Sequence, residues 1–332
     1  NTDTNRTTLG YTLLDRKLNF QALTWQSGST QEIFKDSSWN VDSDVSNARM
    51  YIEETGGMSD VRADYLKNGQ LHSATPAEAP STIGSLKKGV EISKVKRGEN
   101  VYGSSAVLLG WGYVLDAGSL WHGGRLIATG VTSASAYTWS ALTHGEGMKD
   151  EVSFLSGGRS YTARFAKIQA AKDFRLYTGA ARIVGPGLVV DGGRLYFHGE
   201  DWTPAAEYGS VRSAVGWPQP GFGGPTNPMF KVDIAVITSN GKLWLRAGDS
   251  EAKIDPRTFD PDATALRGNY VYDRGSLYVS AYSTPVSQPV VSGLRTIPAC
   301  TGAFEHITTC LYYLDNETAP IANTPAVPAT KA

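Results

Sequence analysis

Five histidines, His72, His122, His144, His198 and His306, are the first place to look for a metal ligand or a general base. They are spread along the chain, and none sits at the spacing that lets one element present two imidazoles to zinc. His144-Gly145-Glu146 sets a base beside an acid, but no nucleophile motif accompanies it and no G-x-S-x-G elbow occurs, so the tripeptide reads as an exposed loop. Glycosidase chemistry needs two carboxylates at a set separation, and the 32 acidic residues make chance pairs certain while selecting none. One pattern is sharper. Asp42, Asp44, Ser46 and Glu53 fall at the first, third, fifth and twelfth places of a calcium loop. Asn47 stands where the loop's glycine belongs and Arg49 where an apolar residue does, so a solvated turn is the stronger reading. No catalytic residue and no cofactor is expected.

The elements that would hold such residues are short strands. A Gly-x-Leu-aromatic unit occurs as Gly118-Ser119-Leu120-Trp121, Gly193-Arg194-Leu195-Tyr196, Gly241-Lys242-Leu243-Trp244 and Gly275-Ser276-Leu277-Tyr278. Each copy follows an apolar run and a polar turn residue, as in Val189-Val190-Asp191-Gly192, and such pairs accept the positive φ angles of tight hairpins. A related copy, Tyr65-Leu66-Lys67-Asn68-Gly69-Gln70-Leu71, lies earlier. The expected fold is all-β: repeated hairpins in an irregular multi-sheet or propeller-like assembly. Spacing between copies runs from 34 to 75 residues, looser than a regular propeller or solenoid. The repeated aromatics Trp121, Tyr196, Trp244 and Tyr278 are expected to pack against neighbouring repeats. Trp202, Trp217 and Phe222 sit in or beside turn-rich segments and are the candidates for meeting a partner, with burial under the loop as the alternative.

At 332 residues, with 41% hydrophobic and 19% charged residues, the chain has enough apolar content for a sizeable core. Thirty-six glycines and sixteen prolines match many short strands joined by turns. A formal charge of −1 gives no whole-molecule field for nucleic acid, and no apolar run is long enough for a membrane-spanning helix. The polar run that opens the chain, NTDTNRTT, is what a processed, mature form would show. Residues 76–98 read as a linker between an N-terminal β-rich region, 1–85, and a hairpin-repeat domain, 99–315. Residues 216–229, rich in Gly and Pro, read as a long surface loop, and 316–332 as a disordered tail. Cys300 and Cys310 are close enough in sequence for a disulfide across a tight loop, worth roughly 2.7 kcal/mol and implying an oxidising compartment. Two buried free thiols are the alternative.

Residues 255–279, DPRTFDPDATALRGNYVYDRGSLYV, resemble the unit of the DKNYY repeat family of exported bacterial proteins, in which a D-P-x-T-F turn precedes a Val-Tyr-Tyr hairpin. Residues 116–127, 172–183 and 191–202 match more loosely, and the second Tyr and the Lys-Asn pair are often missing. The resemblance implies a β-rich, periplasmic or secreted binding protein. Some family members look like immunity proteins that block lipase effectors of type VI secretion, so a lipase or phospholipase partner is the leading expectation. A secreted carbohydrate- or cell-wall-binding protein is the alternative.

Overall fold

The computed structural model describes residues 5–26, 33–55, 58–76, 91–139, 149–164, 167–168, 173–218, 231–266, 270–274, 276–280, 291–292, 303–304 and 307–308. Strands dominate, and each sheet is an antiparallel meander whose strands pair in chain order. The first is three-stranded: β1 (Asn5–Leu14), β2 (Lys17–Gln26) and β3 (Ile33–Asp42). Three pairs of four-stranded sheets follow. The first pair is β4 (Val45–Thr55), β5 (Met58–Lys67), β6 (Gln70–Pro76) and β7 (Ile92–Val101), then β8 (Val107–Gly110), β9 (Tyr113–Asp116), β10 (Ser119–His122) and β11 (Arg125–Ala128). The second is β12 (Val131–Trp139), β13 (Lys149–Ser156), β14 (Arg159–Arg164) and β15 (Lys167–Ile168), then β16 (Arg182–Gly185), β17 (Leu188–Asp191), β18 (Arg194–Phe197) and β19 (Glu200–Asp201). The third is β20 (Val211–Pro218), β21 (Val232–Thr238), β22 (Leu243–Ala247) and β23 (Lys253–Ile254), then β24 (Thr264–Leu266), β25 (Tyr270–Asp273), β26 (Ser276–Val279) and β27 (Val291–Ser292). A ribbon of β28 (Ala303–Phe304) and β29 (Ile307–Thr308) comes last.

Successive sheets meet through their first strands, β4 against β8, β8 against β12, and so on to β20 against β24. The all-β, multi-sheet architecture is as expected. The core lies between neighbouring sheets. Tyr51 of β4, Leu109, Tyr113 and Leu120 of the next sheet, and Val152 and Phe154 of the one after form one buried cluster. Leu188, Val190 and Leu195 pack with Val211, Ile234, Val236 and Trp244 in another. Faces buried against both neighbours explain near-continuous apolar strands such as Val232–Thr238.

The repeating unit is a pair of sheets, a larger leading one and a smaller following one. β4, β12 and β20 each begin on a valine, 86 and 80 residues apart. The N–H of Val45, Val131 and Val211 donates to a hairpin carbonyl of the preceding sheet, at Arg16 (2.9 Å), Gly118 (2.8 Å) and Gly193 (2.7 Å). A register shift follows each valine. It turns the polar side chain two residues past the valine toward the following sheet. Asn47 Nδ2 donates to the Ala106 carbonyl at 2.9 Å, while Ser133 Oγ and Ser213 Oγ accept the amides of Ile183 and Ala265, both at 3.0 Å. Because Val45 bonds Arg16 as the later valines bond Gly118 and Gly193, β1 to β3 correspond to the second, third and fourth strands of a following-type sheet.

Two expectations about boundaries are corrected. The segment expected as a linker, 76–98, is in part strand, since β6 ends at Pro76 and β7 runs from Ile92, the two pairing with Pro76 opposite Ile92 and His72 opposite Lys96. The loop at 216–229 begins later than composition suggested, because Gly216, Trp217 and Pro218 pair with Ile234, Asp233 and Val232 in the sheet. Residues 219–229 of that loop, and the tail 316–332, lie outside the described residues.

Candidate binding surface

The joint between each leading sheet and its follower is built from one short motif. Tyr102, Tyr177 and Phe259 donate their amides, each at 2.8 Å, to the hairpin carbonyls of Gly69, Gly158 and Gly241. Gly241 has φ +70°, and a Cβ there would lie 2.0 Å from the Phe259 carbonyl oxygen, so the close approach requires glycine. The next amide in each joint, of Gly103, Thr178 or Asp260, is accepted by the hairpin aspartate of the following sheet, Asp116 (2.8 Å), Asp191 (2.9 Å) or Asp273 (3.2 Å). The three joint aromatics are buried, and each meets edge-on the aromatic of the Gly-x-Leu-aromatic unit. Tyr102 meets Trp121 at 6.2 Å, Tyr177 meets Tyr196 at 5.8 Å and Phe259 meets Tyr278 at 5.6 Å between ring centroids. The repeated aromatics are thus packing residues, and Trp244 is likewise buried.

Two joints carry a further clasp. Asp255 is fully buried and accepts the Arg257 amide at 3.0 Å and its guanidinium at 2.9 and 2.8 Å. Asp173, also buried, accepts the Arg175 amide at 2.8 Å and the Tyr177 hydroxyl. Arg175 lies over the Tyr196 ring at 3.9 Å. Burial, with the neighbouring Asp173, pushes the Tyr177 hydroxyl well above its ordinary range. A different carboxylate ties the middle of the first pair: Asp64, fully buried, accepts the Gly112 amide at 2.6 Å and the Tyr51 hydroxyl at 3.1 Å. Ser153 takes the same place in the second pair, bonding Gly187 N at 3.3 Å and Tyr137 Oη at 3.0 Å.

The candidate calcium residues are not brought to one point. Asp42 accepts from Lys67 Nζ at 2.7 Å and the Tyr65 hydroxyl at 2.9 Å. Burial acts against its charge, but the hydrogen bonds from Lys67, Ser43 and Tyr65, with Lys94 nearby, hold its carboxyl below the usual range. Ser46 Oγ donates to the Leu66 carbonyl at 3.4 Å, and Asp44 lies in the β3–β4 turn with φ 61°. Glu53 is seven residues beyond Ser46 along β4, about 23 Å at strand rise. A twelve-residue calcium loop has to curl its ligands round one ion, and an extended strand separates them. Among the described residues no group of three or more His, Cys, Asp or Glu could hold a metal.

The histidines serve packing and pairing. His122 stacks on Tyr113 at 4.3 Å and reaches Asp150 at 3.3 Å, His72 stacks on Tyr65 at 5.3 Å, and His198 lies against Phe197 at 4.3 Å. His144, Glu146 and His306 lie outside the described residues, as do Cys300, Cys310 and Phe222. The two other partner candidates differ. Trp202 is half-buried, with Phe197 at 4.6 Å and the Arg246 guanidinium 3.7 Å over its ring. Trp217 is a correction. It is 5% exposed, held in β20 within a cluster of Ala235, Leu245, Phe259 and Val271, because its ring fills the seam between the third pair's two sheets. The large apolar side chains that do face solvent lie elsewhere. Val95, Val101, Ile168, Phe174 and Leu176 belong to the last strands of leading sheets or the segments that extend them, and Leu126 lies in β11.

Sequence reasoning met two of the joints, 255–259 and the segment 172–183, only as parts of the family resemblance, and passed over the first. Their signal was present as Gly98-Glu99-Asn100-Val101-Tyr102, Asp173-Phe174-Arg175-Leu176-Tyr177 and Asp255-Pro256-Arg257-Thr258-Phe259, each ending 19 residues before its partner aromatic. No protein-family model matches the chain, and no curated protein does. Among solved structures, one of BBS1N in complex with ARL6DN, soaked with lead, aligns over 95% of this chain and 90% of that one, at 12% identity and a TM-score of 0.37. That likeness is too distant to bear on fold or function.

Proposed function

We propose that the chain is a binding protein that occludes a secreted lipase or phospholipase effector of type VI secretion, acting in the periplasm as an immunity protein. One observation carries the binding part: the sheet pair recurs with the same valine start, the same joint aromatic and the same hairpin aspartate. Such a scaffold repeats its framework and varies what it exposes, as recognition proteins do. Asp64, Asp173 and Asp255 support the reading, since each fixes backbone amides or a neighbouring side chain of the sheets or of the joints between them. The lipase comes from the resemblance of residues 255–279 to the exported repeat family. A glycan-binding role calls for a flat aromatic face free to stack on a sugar, and Trp202 already carries Arg246 on its ring. The test is hydrolysis of a phospholipid substrate by purified type VI lipase effectors with and without this protein. Stoichiometric inhibition of one of them is expected, and full activity of every effector at saturating protein would overturn the reading.

A further inference from the structure

Where a following sheet meets the next leading sheet, three positions recur in register. Two lie opposite each other on neighbouring strands of the following sheet: Tyr11 and Phe20, Tyr113 and His122, Leu188 and Phe197. The third stands opposite the residue seven places after the valine that starts the leading sheet: Val61 opposite Ile52, Asp150 opposite Thr138, Val232 opposite Pro218. Two of these seams have no charged residue at the three positions. Phe20 is buried, and Leu188, Phe197 and Val232 share one hydrophobic cluster. The seam between the first and second pairs departs from both. His122 Nε2 lies 3.3 Å from Asp150 Oδ2, an oxygen buried from solvent, and the imidazole stacks on Tyr113 with ring centroids 4.3 Å apart. Burial and the neighbouring Asp150 push the Tyr113 hydroxyl well above its ordinary range, so it stays neutral.

We infer that this seam is a pH-sensitive contact built into the repeat, held closed while His122 is protonated and loosened once its ring is neutral. A carboxylate oxygen taken out of water needs a counter-charge. The imidazolium supplies it and the neutral ring does not. Histidine changes charge between about pH 5 and about pH 8, so the contact holds on the acid side and weakens as pH rises. The two side chains keep 28% and 23% of their exposure, which limits the effect to a few-fold. Among the described residues Asp150 alone lies within ion-pair distance of the imidazole. Arg125, opposite His122 on β11, is exposed and screened by solvent. Asp64 of β5 holds the amide of Gly112, where a Cβ would meet His122 Cδ2 at 3.5 Å, and Arg97 lies near that carboxyl. Glu151, next to Asp150 on β13, pairs with Arg164. Acid pH thus favours the state in which the first and second pairs are held together, whatever partner the chain binds.

The test is amide hydrogen exchange on the whole chain at about pH 5.5 and about pH 8, each rate corrected for the intrinsic pH dependence of exchange. In the wild-type protein, protection of residues 113–122 and 150–152 should fall about threefold between the two. His122→Phe with Asp150→Val gives this seam the residues of the seam after it and should abolish the fall. His122→Gln carries no charge at either pH, and should show at both the protection that the wild-type protein has at the higher one. If the double variant does not fold, the glutamine variant decides alone. Equal wild-type protection at the two pH values, a fall of the same size in either variant, or a fall confined to other sheets would overturn the inference. A fall that survives in the variants would belong to another group, Asp64 being the nearest.

Discussion

Arg257 shows how firmly single residues hold the joints, because its guanidinium is the counterion of a carboxylate that has no exposure at all. Removing one partner of a buried pair leaves the other charged and unsolvated, which costs far more than the pair itself contributes. Arg257→Ala should therefore lower stability by about 3 kcal/mol in urea unfolding, and adding Asp255→Ala should restore part of the loss, as a double-mutant cycle would register. Asp64 carries the opposite expectation. Its folded-state pKa is raised above 3.8 because desolvation by burial outweighs the Gly112, Arg97, Ser73 and Tyr51 contributions. The native state then keeps a proton that the unfolded chain has released. Its stabilising contribution is complete below 3.8 and is lost as pH rises through the raised value. Asp64→Asn keeps an oxygen acceptor for Gly112 and carries no charge, so the fall in urea midpoint as pH rises above 3.8 should flatten in that variant. An unchanged slope would show that Asp64 is not the group responsible.

Between elements, the close approach of β16 and β20 sets a tight tolerance. A Cβ on Gly185 would sit 2.6 Å from the Gly216 carbonyl oxygen and 2.8 Å from its Cα, both backbone atoms with no room to yield. Gly185→Ala should cost about 2 kcal/mol by overpacking, read as a lowered urea midpoint, whereas Gly179→Ala, with nothing within 4 Å, should not. The elements themselves were largely legible in the sequence. Asp191-Gly192 and Asn68-Gly69 marked hairpins that exist, since turn chemistry is local. The alternation of larger and smaller sheets was not, because Gly118 and Gly193 belong to following sheets while Gly69 and Gly241 belong to leading ones. Mixing the two series made a regular pattern look irregular. Trp217 was misread for a related reason: its flanking glycine and prolines suggested a loop, yet Gly216 is small so that Leu188 can lie against its backbone, and Pro218 ends the first strand of its sheet.

At the scale of the molecule, three sheet pairs built on one plan hold different residues at equivalent outer positions, Glu99, Phe174 and Pro256 being the clearest set. Long-range registry decided which of these faces solvent, and what separates buried Phe259 from exposed Phe174 in the sequence is only the 19-residue spacing to its partner aromatic. A framework repeated this closely, with its buried carboxylates engaged in holding it together, is suited to presenting a surface. The most direct measurement is the initial rate of phospholipid hydrolysis by a purified type VI lipase effector, titrated with the wild-type protein. The expected result is loss of activity at one equivalent of protein. Undiminished hydrolysis by every effector tested, at any excess of the wild-type chain, would contradict the account.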